Sequence, residues 1–190
     1  MATIIDFMAA KRWAGRPIAA PVPSAAAEAA RPLFFNVRSF AYGSGSHTLQ
    51  LGFVDADANV VFSAFATWPS NTVIDSPPSV PRLPVEPLDP DSTSRMLQSV
   101  CRGAALVGFH RVLQGGLLPP NAVRSAHSLN CVWRRVQEAA KTHRFCRGSE
   151  RPITLNAALR LAGLKPIDSE DAVIRALAVR ELWLWLERLG

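Results

Sequence analysis

The sequence predicts a single mixed α/β domain rather than a helical bundle or a β-sandwich. Three observations support this prediction: an early run of short, strand-like apolar segments, a later run of segments with helical periodicity, and enough apolar residues for a core. Of the 190 residues, 48% are apolar and 19% are charged, which excludes a disordered chain. We place the domain at 33–190 and predict an N-terminal helix with an Ala/Pro-rich linker at 1–32.

Three segments at the start of the domain have the alternation of a β-meander. They cover 33–40, 47–54 and 60–68, and a cluster of turn residues at 55–59 separates the last two. A stretch with seven prolines follows at 69–90. Proline is excluded from helix interiors and central strands, so this stretch predicts an extended surface loop.

The second half of the domain is predicted to be mostly helical. Asp91 or Ser92 can cap a helix that runs to about Arg102, and a short apolar strand follows at 104–109. Further helices are predicted at about 128–143, 154–162 and 170–189. The order of elements is therefore β-β-β-α-β-α-α-α.

The net charge of +6 is unevenly distributed along the chain. Residues 101–151 hold nine basic and two acidic groups, whereas residues 33–91 hold two basic and six acidic groups. All but three of the basic residues are arginine, whose guanidinium binds phosphate bidentately and stacks on bases. The basic segment predicts DNA or RNA as a partner, and a solvated, arginine-rich helix surface explains it equally well.

The sequence shows no pattern typical of a metal site, a membrane-spanning segment or a secretory signal. Its three cysteines, Cys101, Cys131 and Cys146, form no C-x-x-C pair and no four-ligand cluster, so we expect neither a disulfide framework nor a metal site. No apolar run is long enough to span a bilayer, and the N-terminus lacks the charge order of a secretory signal. We therefore expect a cytoplasmic protein with no membrane partner and no cofactor.

Two apolar segments predict a protein partner or a homo-oligomer. The N-terminal helix carries Ile4, Phe7 and Met8, and the last helix carries Trp183 and Trp185 in a run that is apolar on more than one face. The N-terminal helix can equally pack back onto the last helix and cover its surplus apolar surface.

Four segments, taken in order, resemble the DEDDh exonucleases, the DnaQ-like 3′–5′ exonucleases of the ribonuclease-H-like fold. They are the two strands at 49–62, the strand end Ala105-Leu-Val-Gly-Phe-His110, the helix Thr154–Leu164, and Asp171-Ala172 at the start of the last helix. The resemblance covers about 155 residues. It implies a ribonuclease-H-like mixed central sheet flanked by helices, and the predicted N-terminal helix adds an arm to this fold.

The resemblance also implies a catalytic site, from which this sequence departs. The family uses two Mg²⁺ or Mn²⁺ ions held by clustered carboxylates, with a histidine as general base. The corresponding positions here are Asn36, Arg38, Gln114, Pro166 and Asp171, so one carboxylate of four remains and the base is absent. Asp171 also has a simpler explanation as part of an acidic helix N-terminus.

We therefore expect a catalytically inactive exonuclease-like protein that binds nucleic acid or a nucleic-acid-processing complex. One alternative is a protein–protein adaptor that uses the N-terminal helix and the tryptophan face, and another is an active exonuclease with an atypical site. The expected nucleic-acid-binding residues are basic and come mostly from the middle of the chain: Arg38, Arg102, His110, Arg111, Arg134, Arg135, Lys141, Arg144 and Arg147.

Overall fold

The computed structural model describes residues 30–42, 46–69, 86–142 and 154–189. The expected N-terminal helix, most of its linker and most of the Pro-rich loop lie outside these residues. The described chain forms β1 (Pro32–Tyr42), β2 (Ser46–Val54), β3 (Val60–Pro69), α1 (Pro90–Cys101), β4 (Ala105–Gly108), α2 (Arg111–Gly115), α3 (Pro120–Ser125), β5 (Ser128–Cys131), α4 (Val132–Thr142), α5 (Leu155–Leu161) and α6 (Ala172–Leu189).

The five strands form one mixed sheet in the order β3-β2-β1-β4-β5. The first three strands are an antiparallel meander, as the sequence predicts, and β4 and β5 run parallel to β1. Arg38 of β1 lies opposite Gln50 of β2, and Phe34 lies opposite Val107 of β4. The expected α/β class is thus confirmed at the level of a mixed sheet flanked by helices.

Strand alternation divides the core into two layers, one on each face of the sheet. Phe34, Val54 and Val107 pack with α4, α5 and α6 on one face. Phe35 and Phe53 stack on the opposite face, in the layer that includes residues of α1 and α3. Phe34, Phe35 and Phe109 are all buried, so these aromatic side chains belong to the core rather than to an exposed base-stacking surface.

Several element boundaries differ from the sequence prediction. Helix α1 begins at Pro90, and its N-cap is Asp89, whose carboxylate accepts a hydrogen bond from the Ser92 amide at 2.9 Å. Proline is favoured at the first helical position, because the amide proton that it lacks would have no hydrogen-bond partner within the helix there. The predicted helix at 128–143 is wrong in its first four residues, because β5 forms there by pairing with β4.

Helix α6 is the main element on its face of the sheet and contacts β1, β2, α4 and α5. These contacts bury most of its apolar residues, and Leu189 is exposed by 39% at the end of the helix. Within the described segments, no helix has both the length and the apolar character needed to cross a bilayer.

Candidate functional site

The candidate site lies where the start of α6 meets β1 and β2. Alternation along β1 directs Phe34, Asn36 and Arg38 to the α6 face of the sheet. Arg38 forms an ion pair with the carboxylate of Glu170, and its Nη1 also donates to the Glu170 carbonyl oxygen at 2.9 Å. Two contacts with one residue fix the guanidinium beside the segment that leads into α6.

Asp171, the residue after Glu170, caps the start of helix α6. Its Oδ1 accepts hydrogen bonds from the amides of Val173 at 2.8 Å and Ile174 at 3.2 Å. Its Oδ2 accepts from Nε2 of Gln50 at 2.9 Å, and Oε1 of Gln50 in turn accepts from the Ala172 amide at 3.3 Å. Both carboxylate oxygens of Asp171 are therefore engaged in holding the first turn of the helix onto β2.

Gly52 of β2 allows the first turn of α6 to lie close to the sheet. A Cβ atom at Gly52 would lie 2.5 Å from the carbonyl carbon of Ala172 and 2.5 Å from the amide nitrogen of Val173. Gly52 pairs with Asn36 across the β1–β2 ladder. The absence of a side chain at this position thus allows the α6 backbone to lie directly on the sheet next to Asn36.

A second arginine, Arg175, lies near the Glu170 carboxylate that pairs with Arg38. Nη1 of Arg175 is 3.7 Å from Oε1 of Glu170, so one carboxylate bridges Arg38 and Arg175. Burial lowers the pKa of Arg38, and the positive charge of Arg175 lowers it further. Burial also lowers the pKa of Arg175. Both guanidiniums remain charged at neutral pH, because an arginine pKa is far above 7.

Two other positions at which the resemblance places a carboxylate carry a buried side-chain oxygen without a hydrogen-bond partner. Oδ1 of Asn36 and Oε1 of Gln114 are both of this kind. Oε1 of Gln114 lies 3.6 Å from the position that a Cβ would take on Gly108, beside the ring of Phe35. Gln114 therefore reaches the sheet from the Phe35 side, whereas Asn36 and Arg38 point to the α6 side.

Pro166, at the position of the family's histidine, lies in the segment between α5 and α6. Asn156 holds this segment through two hydrogen bonds with Ile167: its Nδ2 donates to the carbonyl oxygen at 2.8 Å and its Oδ1 accepts from the amide at 3.0 Å. Proline has no side-chain group that can take up a proton. The segment next to Asp171 is therefore fixed but carries no base at this position.

These residues do not fit the two-metal centre that the resemblance implies. A guanidinium occupies the position of one carboxylate, and the oxygens of Asp171 already accept three hydrogen bonds. A positive charge repels a divalent cation, and hard cations require oxygen ligands that are available for coordination. Within the described parts of the chain, no three carboxylate, histidine or cysteine side chains come together as a possible metal site.

The predicted nucleic-acid-binding residues that the structure describes come from β1, from the segments at both ends of β4, and from α4. Arg102 follows α1 and is exposed near the amino end of β4, where the amide of Gly103 donates to the carbonyl of Ser125. His110 and Arg111 follow the carboxyl end of the same strand. The side chain of Lys141, together with Arg144 and Arg147, lies outside the described residues.

The two arginines of α4 both interact with carboxylates. Arg134 pairs with Glu138 at 3.1 Å on the same helix, and Arg135 pairs with Glu187 of α6 at 2.6 Å. The guanidinium of Arg135 also lies over the ring of Trp183, 4.4 Å from its centroid. Arg135 therefore joins α4 to α6, which gives it a structural function in addition to the expected one.

Trp183 and Trp185, which the sequence suggests as partner-binding residues, are only partly exposed. Trp183 makes an edge contact with Phe34, with the ring centroids 6.5 Å apart, and is covered on one side by Arg135. Trp185 packs against the same core layer. The other residues of the proposed partner surface, Ile4, Phe7 and Met8, lie outside the described residues.

An aromatic stack lies at the carboxyl end of β4. The rings of His110 and Trp133 are stacked with centroids 4.6 Å apart, and Nε1 of Trp133 is buried without a partner. The amide of Trp133 donates to the carbonyl of Phe109 at 2.9 Å, which fixes the start of α4 beside this strand end. Both residues of the stack are partly exposed.

The sequence predicts Arg38 and Asp171 as residues of this site, but not Arg175 or Gln50, and it predicts Glu170 only as part of an acidic helix start. Arg175 lies four residues after Asp171, one helical turn away, so the predicted helix start already placed the two at the same end of α6. Gln50 gives no distinct signal, because Thr48 and Gln50 are successive polar positions of an alternating strand.

The sequence matches no protein-family model, and no curated protein is significantly similar to it.

Proposed function

We propose that this chain is a catalytically inactive, DEDDh exonuclease-like domain that binds nucleic acid or a nucleic-acid-processing complex. The sequence resemblance suggests the ribonuclease-H-like family, and the mixed five-stranded sheet with helices on both faces is compatible with that fold. A cytoplasmic location remains part of the same proposal.

The observation that carries the proposal is the position of Arg38. Its side chain is only 16% exposed, and it lies on β1 where the resemblance places a metal-binding carboxylate. A guanidinium cannot hold a divalent cation, but it binds a phosphate oxygen through charge-assisted hydrogen bonds. The same place on the sheet would then bind the nucleic-acid backbone directly, without the metal ions that a nuclease uses to cleave it.

Salt-dependent binding of labelled single- and double-stranded oligonucleotides tests this proposal. Affinity is expected to rise as salt falls, because neutralising phosphates releases counterions. Arg38→Gln is expected to weaken binding about tenfold, from the roughly 1.5 kcal/mol of a charge-assisted hydrogen bond, and to reduce the salt slope by about 1. Arg95→Gln removes the same charge from an exposed position on α1 and serves as the matched control.

Two outcomes would contradict the proposal. Absence of oligonucleotide binding at low salt would remove nucleic acid as the ligand. Degradation of a 3′-labelled strand with Mg²⁺ or Mn²⁺, lost in Asp171→Ala and kept in Arg95→Gln, would show that the domain is an active nuclease despite its altered residues.

A further inference from the structure

Three exposed basic residues come together where β4 and β5 begin. Arg102 directly follows α1, Arg124 lies in the last turn of α3, and His127 directly precedes β5. The amide of His127 donates to the carbonyl of Ala104 at 2.9 Å. The residue after Arg102 donates its amide hydrogen to the carbonyl of the residue after Arg124, also at 2.9 Å. These backbone hydrogen bonds place the three basic residues next to one another, and we call them the amino-edge cluster.

The two arginines of this cluster are unpaired within the described parts of the chain. Neither side chain forms an ion pair with a carboxylate or a hydrogen bond. Each lies at the carboxyl end of a helix, where the helix dipole favours a cation but takes up none of its hydrogen-bond donors. The carbonyls of Gln98 and Ala122 at these helix ends accept hydrogen bonds from Oγ of Ser125 instead. The donors of both guanidiniums are therefore available to a ligand.

The elements that form the amino-edge cluster carry almost no negative charge. Residues 92–137 contain six arginines and no Asp or Glu, and they include β4, α3, β5 and all but the first two residues of α1. The turn after β2 carries Asp55 and Asp57 at the same edge of the sheet, but β2 is two strands from β4, about 10 Å away. Exposed charges that are farther apart than about 8 Å are largely screened at physiological salt.

Two further groups of carboxylates are also removed from the amino-edge cluster. Glu138, Glu181 and Glu187 belong to the helices on the opposite face of the sheet, and each forms an ion pair with an arginine. Asp89 and Asp91 lie at the start of α1, at least about 15 Å along the helix axis from the cluster at its other end. The cluster therefore keeps a net positive charge on the face of the sheet that α1 and α3 cover.

The shape and composition of this edge favour a phosphate backbone as the partner. A Cβ on Gly103, the residue after Arg102, would meet no atom within 4 Å, so this loop projects into solvent. Arginine binds phosphate oxygens through paired, charge-assisted hydrogen bonds. Single strands are usually bound by stacking their bases on exposed aromatic rings, whereas the only Phe, Tyr or Trp of residues 92–131 is Phe109, which is buried. Anionic membranes are typically bound by about four to eight clustered basic residues, more than are present here.

We propose that Arg102, Arg124 and His127 form a second contact surface for nucleic acid, which binds the phosphate backbone of a duplex without reading its sequence. This inference rests on the proposed function and adds a surface that the exonuclease resemblance does not supply. The β1 residue that pairs with Ala104's neighbour Ala105 is Pro32, six residues before Arg38. The two contact points are therefore about 20 Å apart along the strand direction.

Fluorescence anisotropy of the full chain with a labelled DNA duplex, measured at several salt concentrations, tests the inference. Arg102→Gln combined with Arg124→Gln is expected to make the salt slope about 1.8 shallower, from about 0.9 for each phosphate contact. The loss should be equal for two duplexes of unrelated sequence, because phosphate contacts carry no sequence information. The matched control is Arg160→Gln, which removes an exposed arginine from the last turn of α5 on the other face and should leave the slope unchanged.

The outcomes separate this inference from the proposed function. If the double variant is folded in urea unfolding and changes no duplex affinity or slope, whereas Arg38→Gln weakens strand binding, the second surface is refuted and the proposed function stands. If the double variant lowers the slope and Arg38→Gln changes nothing, the second surface stands and the binding role of Arg38 fails. If the duplex does not bind at low salt, but phosphatidylserine vesicles bind and are lost in the double variant, the cluster contacts a membrane and the inference is overturned.

Discussion

The contact between Gly52 and the first turn of α6 gives the sharpest stability prediction. In Gly52→Ala, the new Cβ would lie 2.5 to 2.7 Å from three backbone atoms of Ala172 and Val173. Backbone atoms cannot turn aside as a flexible side chain can, so α6 must move away from β2. That movement stretches the hydrogen bonds from Gln50 Nε2 to Asp171 and from the Ala172 amide to Gln50, which hold the helix end.

The expected loss combines three contributions. Overpacking costs about 1–3 kcal/mol, weakening the helix cap costs about 0.5–2 kcal/mol, and the reduced entropy of the unfolded chain returns about 0.4–1 kcal/mol. The central values of these contributions give a net decrease of about 2.5 kcal/mol in the free energy of unfolding. Gly52 does not have a positive φ, so alanine itself introduces no backbone strain there.

Urea unfolding followed by tryptophan fluorescence measures this loss, with an unchanged m-value as the sign of an intact folded state. Gly115→Ala is the matched control, because its Cβ would meet only the terminal Cδ2 of Leu129 at 3.0 Å. A leucine methyl can move to another rotamer, so the control should stay within about 1 kcal/mol of the wild type. Equal stability of Gly52→Ala and the wild type would show that α6 does not lie against β2 as described.

Two further predictions concern buried and capping groups. Burial raises the pKa of the Cys101 thiol to about 12, so its contribution to stability is fully present below the unfolded pKa near 9 and is lost as the pH rises from there towards 12. Peptide mapping after iodoacetamide treatment at mildly alkaline pH should show Cys101 alkylated only after unfolding, and rapid alkylation in the folded protein would contradict its burial. Asp171→Ala should lower the free energy of unfolding by about 1–2 kcal/mol through loss of the α6 cap, and a change of less than about 0.3 kcal/mol in urea unfolding would contradict the capping role.

The strands of the meander could be predicted from sequence because alternation and turn residues are local signals. The turn after β2 is an example: Oδ1 of Asp55 accepts hydrogen bonds from the amides of Asp57 and Asn59, and Ala58 has a φ of 68°. All of these interactions lie within five residues. A short-range pattern of this kind is complete in the sequence and needs no information about the rest of the fold.

The missed elements depend on distant contacts. Strand β5 has four partly buried residues and no clear alternation, so only its pairing with β4 makes it a strand. Helices α2 and α3 have five and six residues, too few for a periodic pattern to be recognised. The same limit applies to the candidate site, because the hydrogen bonds of Arg38 to Glu170 and of Gln50 to Asp171 join residues 132 and 121 positions apart.

The two charged residues that define the site differ in how much they say about function. Asp171 caps a helix and binds Gln50, so fold stability alone explains an acidic residue at this position, and its presence gives no support for catalysis. Arg38 is different, because burying a guanidinium costs desolvation energy and an apolar side chain of similar size is often as stable or more stable at such a position. The side chain of its partner Glu170 is 67% exposed, and an ion pair with so exposed a carboxylate offsets little of that cost. Under the proposed function this guanidinium contacts a phosphate of the bound nucleic acid, so Arg38→Gln is the substitution that most directly tests what this domain binds.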